Sequence, residues 1–245
     1  MIDIHCHILP FADDGADSME DALEMARMAV DSGVDAMIAT PHFHISDTEE
    51  HNVKSARLAQ HFLQLRERVE QAGIPLSLYF GAEILCTIDV PDLLKNNQPV
   101  TLAGSNYLLV EFFFDEDLAY MDDTLSAIAA QGLTPVIAHP ERYEAVQNTP
   151  YVIERWFAGG YIIQVNKGSI LGRLGRRAAA TANWILARGL AHAVASDAHS
   201  SVVRTPRMGQ LRDHLAMHYS PDYAHSLLEH NPLCILKNEP VLSAD

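Results

Sequence analysis

Two histidines, His5 and His7, stand at the end of a short apolar run (Met1, Ile2, Ile4), and an acidic turn, Asp13-Asp14-Gly15, follows them. In a strand, side chains alternate faces, so His5 and His7 project to one side while Cys6 projects to the other. Two imidazoles on one side of a strand end, with the Asp14 carboxylate on the next turn, form a donor set suited to Zn, Mn or Fe. Two buried, hydrogen-bonded histidines would give the same pattern, so this stretch does not decide alone.

The remaining elements supply the argument. Apolar runs recur along the chain and end in residues that ligate metals: Asp35–Thr40 leads to Pro41-His42, Ile74–Phe80 to Gly81-Ala82-Glu83, Tyr107–Val110 to Glu111, Leu133–Ala138 to His139, and Leu190–Ser196 to Asp197-Ala198-His199. Of these runs, only Tyr161–Asn166 ends without such a residue. Helical periodicity separates them, over Ser18–Ser32 with Ser18 as cap, Thr48–Ala72, Leu118–Gln131, Pro150–Ala158, Arg173–Arg188 and about Pro206–His230. Cys86–Ser105 reads as irregular. Strands alternating with helices predict an α/β fold with parallel strands, in one domain spanning residues 1–245. Barrels of this class carry their sites at the carboxyl ends of the strands, which would gather these distant residues at one mouth. Five histidines and four carboxylates are too many for one tetrahedral ion and enough for two or three.

Composition narrows the function classes. With 17 basic against 32 acidic side chains the net charge is −15, which repels phosphate backbones and disfavours a nucleic-acid binder. Three scattered cysteines offer neither a disulfide framework nor a cysteine zinc site, which suits a reducing, cytoplasmic setting. No apolar run reaches the ~18 residues of a membrane span, and no signal peptide is visible. A cysteine phosphatase needs Arg six residues after its Cys, and Ala12, Asp92 and Pro240 occupy those positions.

Taken together, His5-Cys6-His7-Ile8-Leu9-Pro10, Asp13-Asp14-Gly15, Ala39-Thr40-Pro41-His42, Gly81-Ala82-Glu83, Ile137-Ala138-His139-Pro140-Glu141-Arg142 and Ala195-Ser196-Asp197-Ala198-His199 resemble the PHP (polymerase and histidinol phosphatase) superfamily. Within it they resemble the bacterial tyrosine phosphatases of the CpsB/YwqE type, in order from Met1 to about Leu236. The resemblance implies a distorted (β/α)7 TIM-like barrel, the PHP fold, with two to three manganese ions, Fe, Zn or Mg being possible in place. It implies that His5, His7, Glu83 and Asp197 hold one ion, that Glu83 bridges to a second completed by Glu111 and His139, and that Asp14, His42 and His199 hold a third. It implies catalytic roles on the phosphate for Arg142 and Arg204, whose guanidinium forks suit a phosphate dianion. The expected activity is attack of a metal-bridging hydroxide on phosphotyrosine, on the tail of a bacterial tyrosine kinase that governs capsular or exopolysaccharide synthesis.

Phenol, with a pKa of about 10, leaves more readily than an aliphatic alkoxide and needs less help from a protein acid. His44 could approach the leaving group. His214 and His218 lie one helical turn apart, but Leu215 stands where a zinc protease has Glu, so a solvated face is expected there. The ligand motifs alone leave two alternatives: a small-molecule phosphomonoesterase such as histidinol phosphatase, and a non-catalytic metal-binding module that docks on a kinase.

Overall fold

The computed structural model describes residues 1–44, 48–87 and 90–241, apart from the side chains of 48–53 and 96. The strands are β1 (Ile2–Cys6), β2 (Ala36–Ala39), β3 (His42–Phe43), β4 (Ser77–Phe80), β5 (Glu83–Leu85), β6 (Tyr107–Glu111), β7 (Thr134–Ala138), β8 (Ile162–Asn166) and β9 (Ala193–Ala195). Between and after them run α1 (Met19–Asp31), α2 (Thr48–Gln71), α3 (Val90–Asn96), α4 (Leu118–Ala129), α5 (Glu144–Asn148), α6 (Val152–Ala158), α7 (Lys167–Ile170), α8 (Arg176–Leu186), α9 (Gly209–His218), α10 (Pro221–His225) and α11 (Asn231–Lys237).

Every strand pairing among the described residues is parallel, as the strand–helix alternation requires. The pairings form two sheets, β1-β2-β4 and β3-β5-β6-β7-β8-β9, and no closed barrel is registered among the described residues. The division has a local cause. Two runs that read as single strands are each broken just before their ligand-type residue, one at Thr40-Pro41 and one at Gly81-Ala82. Pro41 has no N–H to give to a ladder. A Cβ on Gly81 would sit 2.9 Å from Ile38 Cγ2, so only glycine allows that close approach. β2 and β4 pair in one sheet and their continuations β3 and β5 in the other, with Gly81 N donating to Ala39 O (2.9 Å) and Glu83 N to Pro41 O (3.0 Å) across the interruption.

Where the sheets adjoin, Asp197 N donates to His5 O (2.9 Å) and His7 N donates to Ala198 O (2.9 Å), around a parallel bridge between Cys6 and Ala198. Strand interiors such as Ile4, Ile38, Leu109, Val136 and Ala193 pack into one buried cluster, and the helices cover the outward faces with a larger one.

Helix boundaries follow the capping signals in part. Ser18 caps α1 by accepting from Asp21 N (3.1 Å), as its position predicts. The stretch expected to be helical over 206–230 is interrupted at Tyr219-Ser220, where Ser220 caps α10 and Pro221 takes its first turn. The segment expected to be irregular contains α3, and α5 and α7 follow strand ends that showed no helical period.

Candidate metal centre

Strand register brings the ligand-type residues together. In β3–β5 His42 lies opposite Glu83, and in β5–β6 Leu85 lies opposite Glu111. Across the Cys6–Ala198 bridge, His5 and His7 face the same pocket as Asp197 and His199. Cys6 turns the other way and is buried in the core. A cavity of about 300 Å³ opens here, lined by Asp14, His42, Glu83, Glu111, His139, Asp197 and His199 together with Arg142, Arg204 and Phe112–Phe114. His5 and His7 lie buried behind this lining, their Nε2 atoms 3.2 and 3.3 Å from Glu83 Oε2. The nine expected ligands and the two arginines thus reach one site.

The histidines are oriented from behind. Gln164 donates its amide N–H to Val165 O (2.9 Å), so its oxygen faces His5 Nδ1 (2.9 Å), which must carry the proton. His7 Nδ1 donates to Asp13 Oδ2 (2.7 Å), and His199 Nδ1 donates to Asp197 O (3.1 Å). In each ring Nε2 is left to face the cluster, the tautomer that metal-binding histidines adopt. Asp13 also accepts from His42 N (2.7 Å) and Gly15 N (2.9 Å), tying the acidic loop to β3. A Cβ on Gly15 would lie 2.1 Å from His7 O, which explains the glycine.

The donor atoms converge as they would around cations. Glu83 Oε2 is buried without a hydrogen bond, yet lies 3.2 Å from His5 Nε2, 3.3 Å from His7 Nε2 and 3.1 Å from His42 Nδ1. His5 Nε2 and His7 Nε2 are 3.1 Å apart. Ligand atoms ~2.1 Å from a common ion lie roughly 3.0–3.4 Å from one another. Three groups bring one donor atom from each residue within 4.8 Å of one another, the first two with separations close to that range: His5, His7 and Glu83; His42, Glu83 and Glu111; and, more loosely, His7, Asp14, His42 and His199.

The grouping differs in detail from the expected one. His139 Nε2 lies 3.1 Å from Glu83 Oε1 and 3.8 Å from Glu111 Oε2, so it borders the second group, within which His42 stands. Asp197 Oδ1 lies 3.6 Å from both His5 and His7 and borders the first. Asp14 is the most open of the set, with its side chain 69% exposed.

Electrostatics point the same way. Burial disfavours charge on His42, but Glu111 and Glu83 outweigh it and hold its pKa up at about 11. Burial likewise opposes charge on His7, and Asp13 and Glu83 overcome it, raising its pKa to about 9. Burial would lift Glu83, yet His5, His139 and His42 hold it well below the usual carboxylate range. The carboxylates thus demand positive charge in their midst, a demand that divalent ions meet. The donor set fits such ions.

Features not singled out from the sequence complete the site. Asn166, at the one strand end without a ligand-type residue, donates from Nδ2 to Asp197 Oδ2. The same oxygen receives Arg204 Nη2 (2.5 Å) and Arg142 Nη1 (3.4 Å). Asp197 therefore offers one oxygen to the histidines and the other to two guanidiniums. Phe114, half-exposed, lies beneath Arg142 with its ring centroid 4.4 Å from Cζ. The Phe112-Phe113-Phe114 run after β6 was the available signal for it. His44 lines an adjoining cavity instead of this one, and His214 and His218 pair on α9, outside these groups.

A family model described as "Capsular polysaccharide synthesis, CpsB/CapC" matches residues 1–237. The chain belongs to the CpsB/CapC family. Among its relatives, a protein named tyrosine-protein phosphatase YwqE of Bacillus subtilis is 34% identical over 98% of this chain and 93% of its own length. Tyrosine-protein phosphatase CpsB of Streptococcus pneumoniae is 33% identical over 98% of this chain and 99% of its own. A solved structure described as one of "YwqE from Bacillus subtilis and CpsB from Streptococcus pneumoniae, unique metal-dependent tyrosine phosphatases" superposes with a TM-score of 0.89 and 32% identity, over 100% of this chain and 97% of that one. The CpsB/CapC match thus covers every strand and the whole cluster. No helix among the described residues is long and apolar enough to cross a membrane.

Proposed function

We propose that this chain is a metal-dependent phosphotyrosine phosphatase, with His5, His7, Asp14, His42, Glu83, Glu111, His139, Asp197 and His199 as metal ligands and Arg142 and Arg204 on the phosphate. One observation carries the reading: Asp197 stands between the histidine cluster and two arginines, so cation site and anion site share a wall. Bound divalent ions, with manganese our first choice, would supply a nucleophile at neutral pH and offset the charge on the phosphoryl oxygens.

The protein's own residues do the remainder. Arg142 and Arg204 leave Asp197 for the phosphate oxygens, which they grip as planar forks. Phe114 and Phe113, both half-exposed at the rim, flank the phenyl ring of the substrate. Water attacks phosphorus opposite the ester oxygen, the P–O bond to the ring breaks with its electron pair leaving on the phenolate, and the proton that the attacking water gives up ends on that phenolate. With a pKa of about 10, that leaving group asks little of a protein acid, which agrees with the place of His44 outside this cavity.

On this reading the two sheets act as one distorted barrel of seven staves, β2 with β3 and β4 with β5 each counting as one; the Cys6–Ala198 bridge supports that closure. The partner would be the phosphorylated tail of a bacterial tyrosine kinase acting in capsule synthesis, in keeping with the family description. A cytoplasmic setting suits three buried, unpaired cysteines. Peptides carrying phosphotyrosine or phosphoserine, assayed with added Mn²⁺, test the assignment. Preferential turnover of the phosphotyrosine peptide is expected, and equal or faster phosphoserine hydrolysis would remove it.

A further inference from the structure

Beside the metal mouth lies a second cavity of about 270 Å³, and His42 belongs to the walls of both. Its chemistry differs from that of the first. Phe11, Phe43 and Leu58 give it apolar walls, while Lys54, Arg57 and His61 bring two cations and an imidazole from one face of α2, at helical spacing. Arg57 makes no ion pair with any described side chain, and His61 Nδ1 is buried without a hydrogen bond. On a chain of net charge −15, two cations and a histidine turned toward one hollow are an exception to the general field.

Phe11 is the second observation. Its backbone lies in the left-handed region (φ 61°), a costly place for a bulky aromatic residue, and its ring is 68% exposed. The turn that imposes this conformation is closed by Phe11 N donating to Ala16 O (3.1 Å). Strain that presents an aromatic ring to solvent beside a functional site calls for a ligand that uses the ring.

The geometry points to a second phosphotyrosine subsite: the phenyl ring of a neighbouring phosphotyrosine on the same peptide packs on Phe11 and Phe43, and its phosphate pairs with Lys54 and Arg57. This rests on the phosphotyrosine reading above and adds a preference for multiply phosphorylated segments. Adjacent cavities that share one wall residue put their occupants on the order of 10 Å apart, which is about three residues of extended peptide at roughly 3.3 Å each.

The test compares three synthetic peptides on the full chain with Mn²⁺: one with a single phosphotyrosine, one with a second phosphotyrosine about three residues away, and one with glutamate at that second position. The doubly phosphorylated peptide is expected to have a KM roughly tenfold lower, with kcat within about twofold. Lys54→Ala combined with Arg57→Ala should erase that advantage and leave turnover of the singly phosphorylated peptide as it was. Thermal midpoints confirm that the variant is folded, and Lys54→Arg should keep the advantage.

Equal KM values for the three peptides would overturn the proposal. So would an advantage that survives the double substitution, or one that glutamate gives in full. Failure of the phosphotyrosine reading itself looks different: p-nitrophenyl phosphate is hydrolysed while none of the peptides is.

Discussion

Asp197 is the residue on which both halves of the site depend. It is buried, with a left-handed backbone (φ 48°), and His5, His139 and Arg204 overcome the cost of burial to hold its carboxyl below the ordinary range. Asn keeps the shape and tolerates that backbone, but it removes the charge that opposes both cations and guanidiniums. Asp197→Asn should therefore cut p-nitrophenyl phosphate turnover by at least about 10²-fold while the fold persists, as activity and circular dichroism together would report. Arg204→Lys replaces a fork by a point charge and should lower kcat/KM on the order of 10²-fold without changing bound metal. Gln164, which only orients His5, is a milder case: Gln164→Leu should weaken metal affinity roughly 10–100-fold in a chelator competition. The ligand types were legible in the sequence because all but Asp14, which sits in the acidic turn after His7, stand at the end of an apolar run. Asn166 and Gln164 were not, since an amide at a strand end carries no mark of whether it will face a carboxylate or solvent.

Short elements hold these residues in register. Tyr143, fully buried just after His139, donates its hydroxyl hydrogen to Ala138 O (2.8 Å) and accepts from Phe112 N (3.2 Å). It thereby ties the ends of β6 and β7, which carry Glu111 and His139. Lys167, at the start of α7, donates to Thr205 O and to Arg207 O (3.3 Å), fastening the loop that carries Arg204. Lys167→Met should free that loop and raise KM for aryl phosphates about tenfold, with metal content unchanged.

β8 and β9 also contain a pH-sensitive joint. His192 stacks on Phe157 (centroids 4.6 Å apart), its Nδ1 accepts from Ile163 N (3.1 Å), and burial pulls its pKa down to about 4. A histidine whose pKa is lower folded than unfolded binds more protons when unfolded. Its contribution is complete above about pH 6.5 and fades as the pH falls toward 4. Between pH 7 and pH 5 it should remove ~2 kcal/mol of stability, a loss that His192→Phe lacks when urea midpoints are compared. Strand order and type were legible from periodicity. The interruptions at Thr40-Pro41 and Gly81-Ala82 fall at a visible proline and glycine, but the short strands β3 and β5 beyond them were not legible, because they exist through pairing between residues distant in sequence, such as His42 opposite Glu83.

Over the whole molecule, parallel strands gather residues from positions 14 to 204 into one mouth, in a chain whose net charge is −15. An acidic chain favours cations over anions in general, so on the proposed reading recognition of the phosphate falls to Arg142 and Arg204, which line the mouth. Ions that bind only the folded chain stabilise it by mass action, about 2.7 kcal/mol at a hundredfold excess over Kd, so chelation should lower the thermal midpoint and Mn²⁺ should restore it. The ligand types at the ends of apolar runs made a metal site legible from the sequence, and the order of the motifs made the family resemblance legible. The second cavity was not, since its walls come from the loop after β1, from β3 and from one face of α2, and only the fold unites them.

The most direct test of the metal centre is a crystal structure grown with Mn²⁺ and phosphate, with anomalous scattering recorded at the manganese edge. We expect two or three manganese peaks enclosed by His5, His7, Asp14, His42, Glu83, Glu111, His139, Asp197 and His199, and a phosphate that touches both Arg142 and Arg204. No peak within that cluster, or a phosphate bound away from both arginines, would contradict the account.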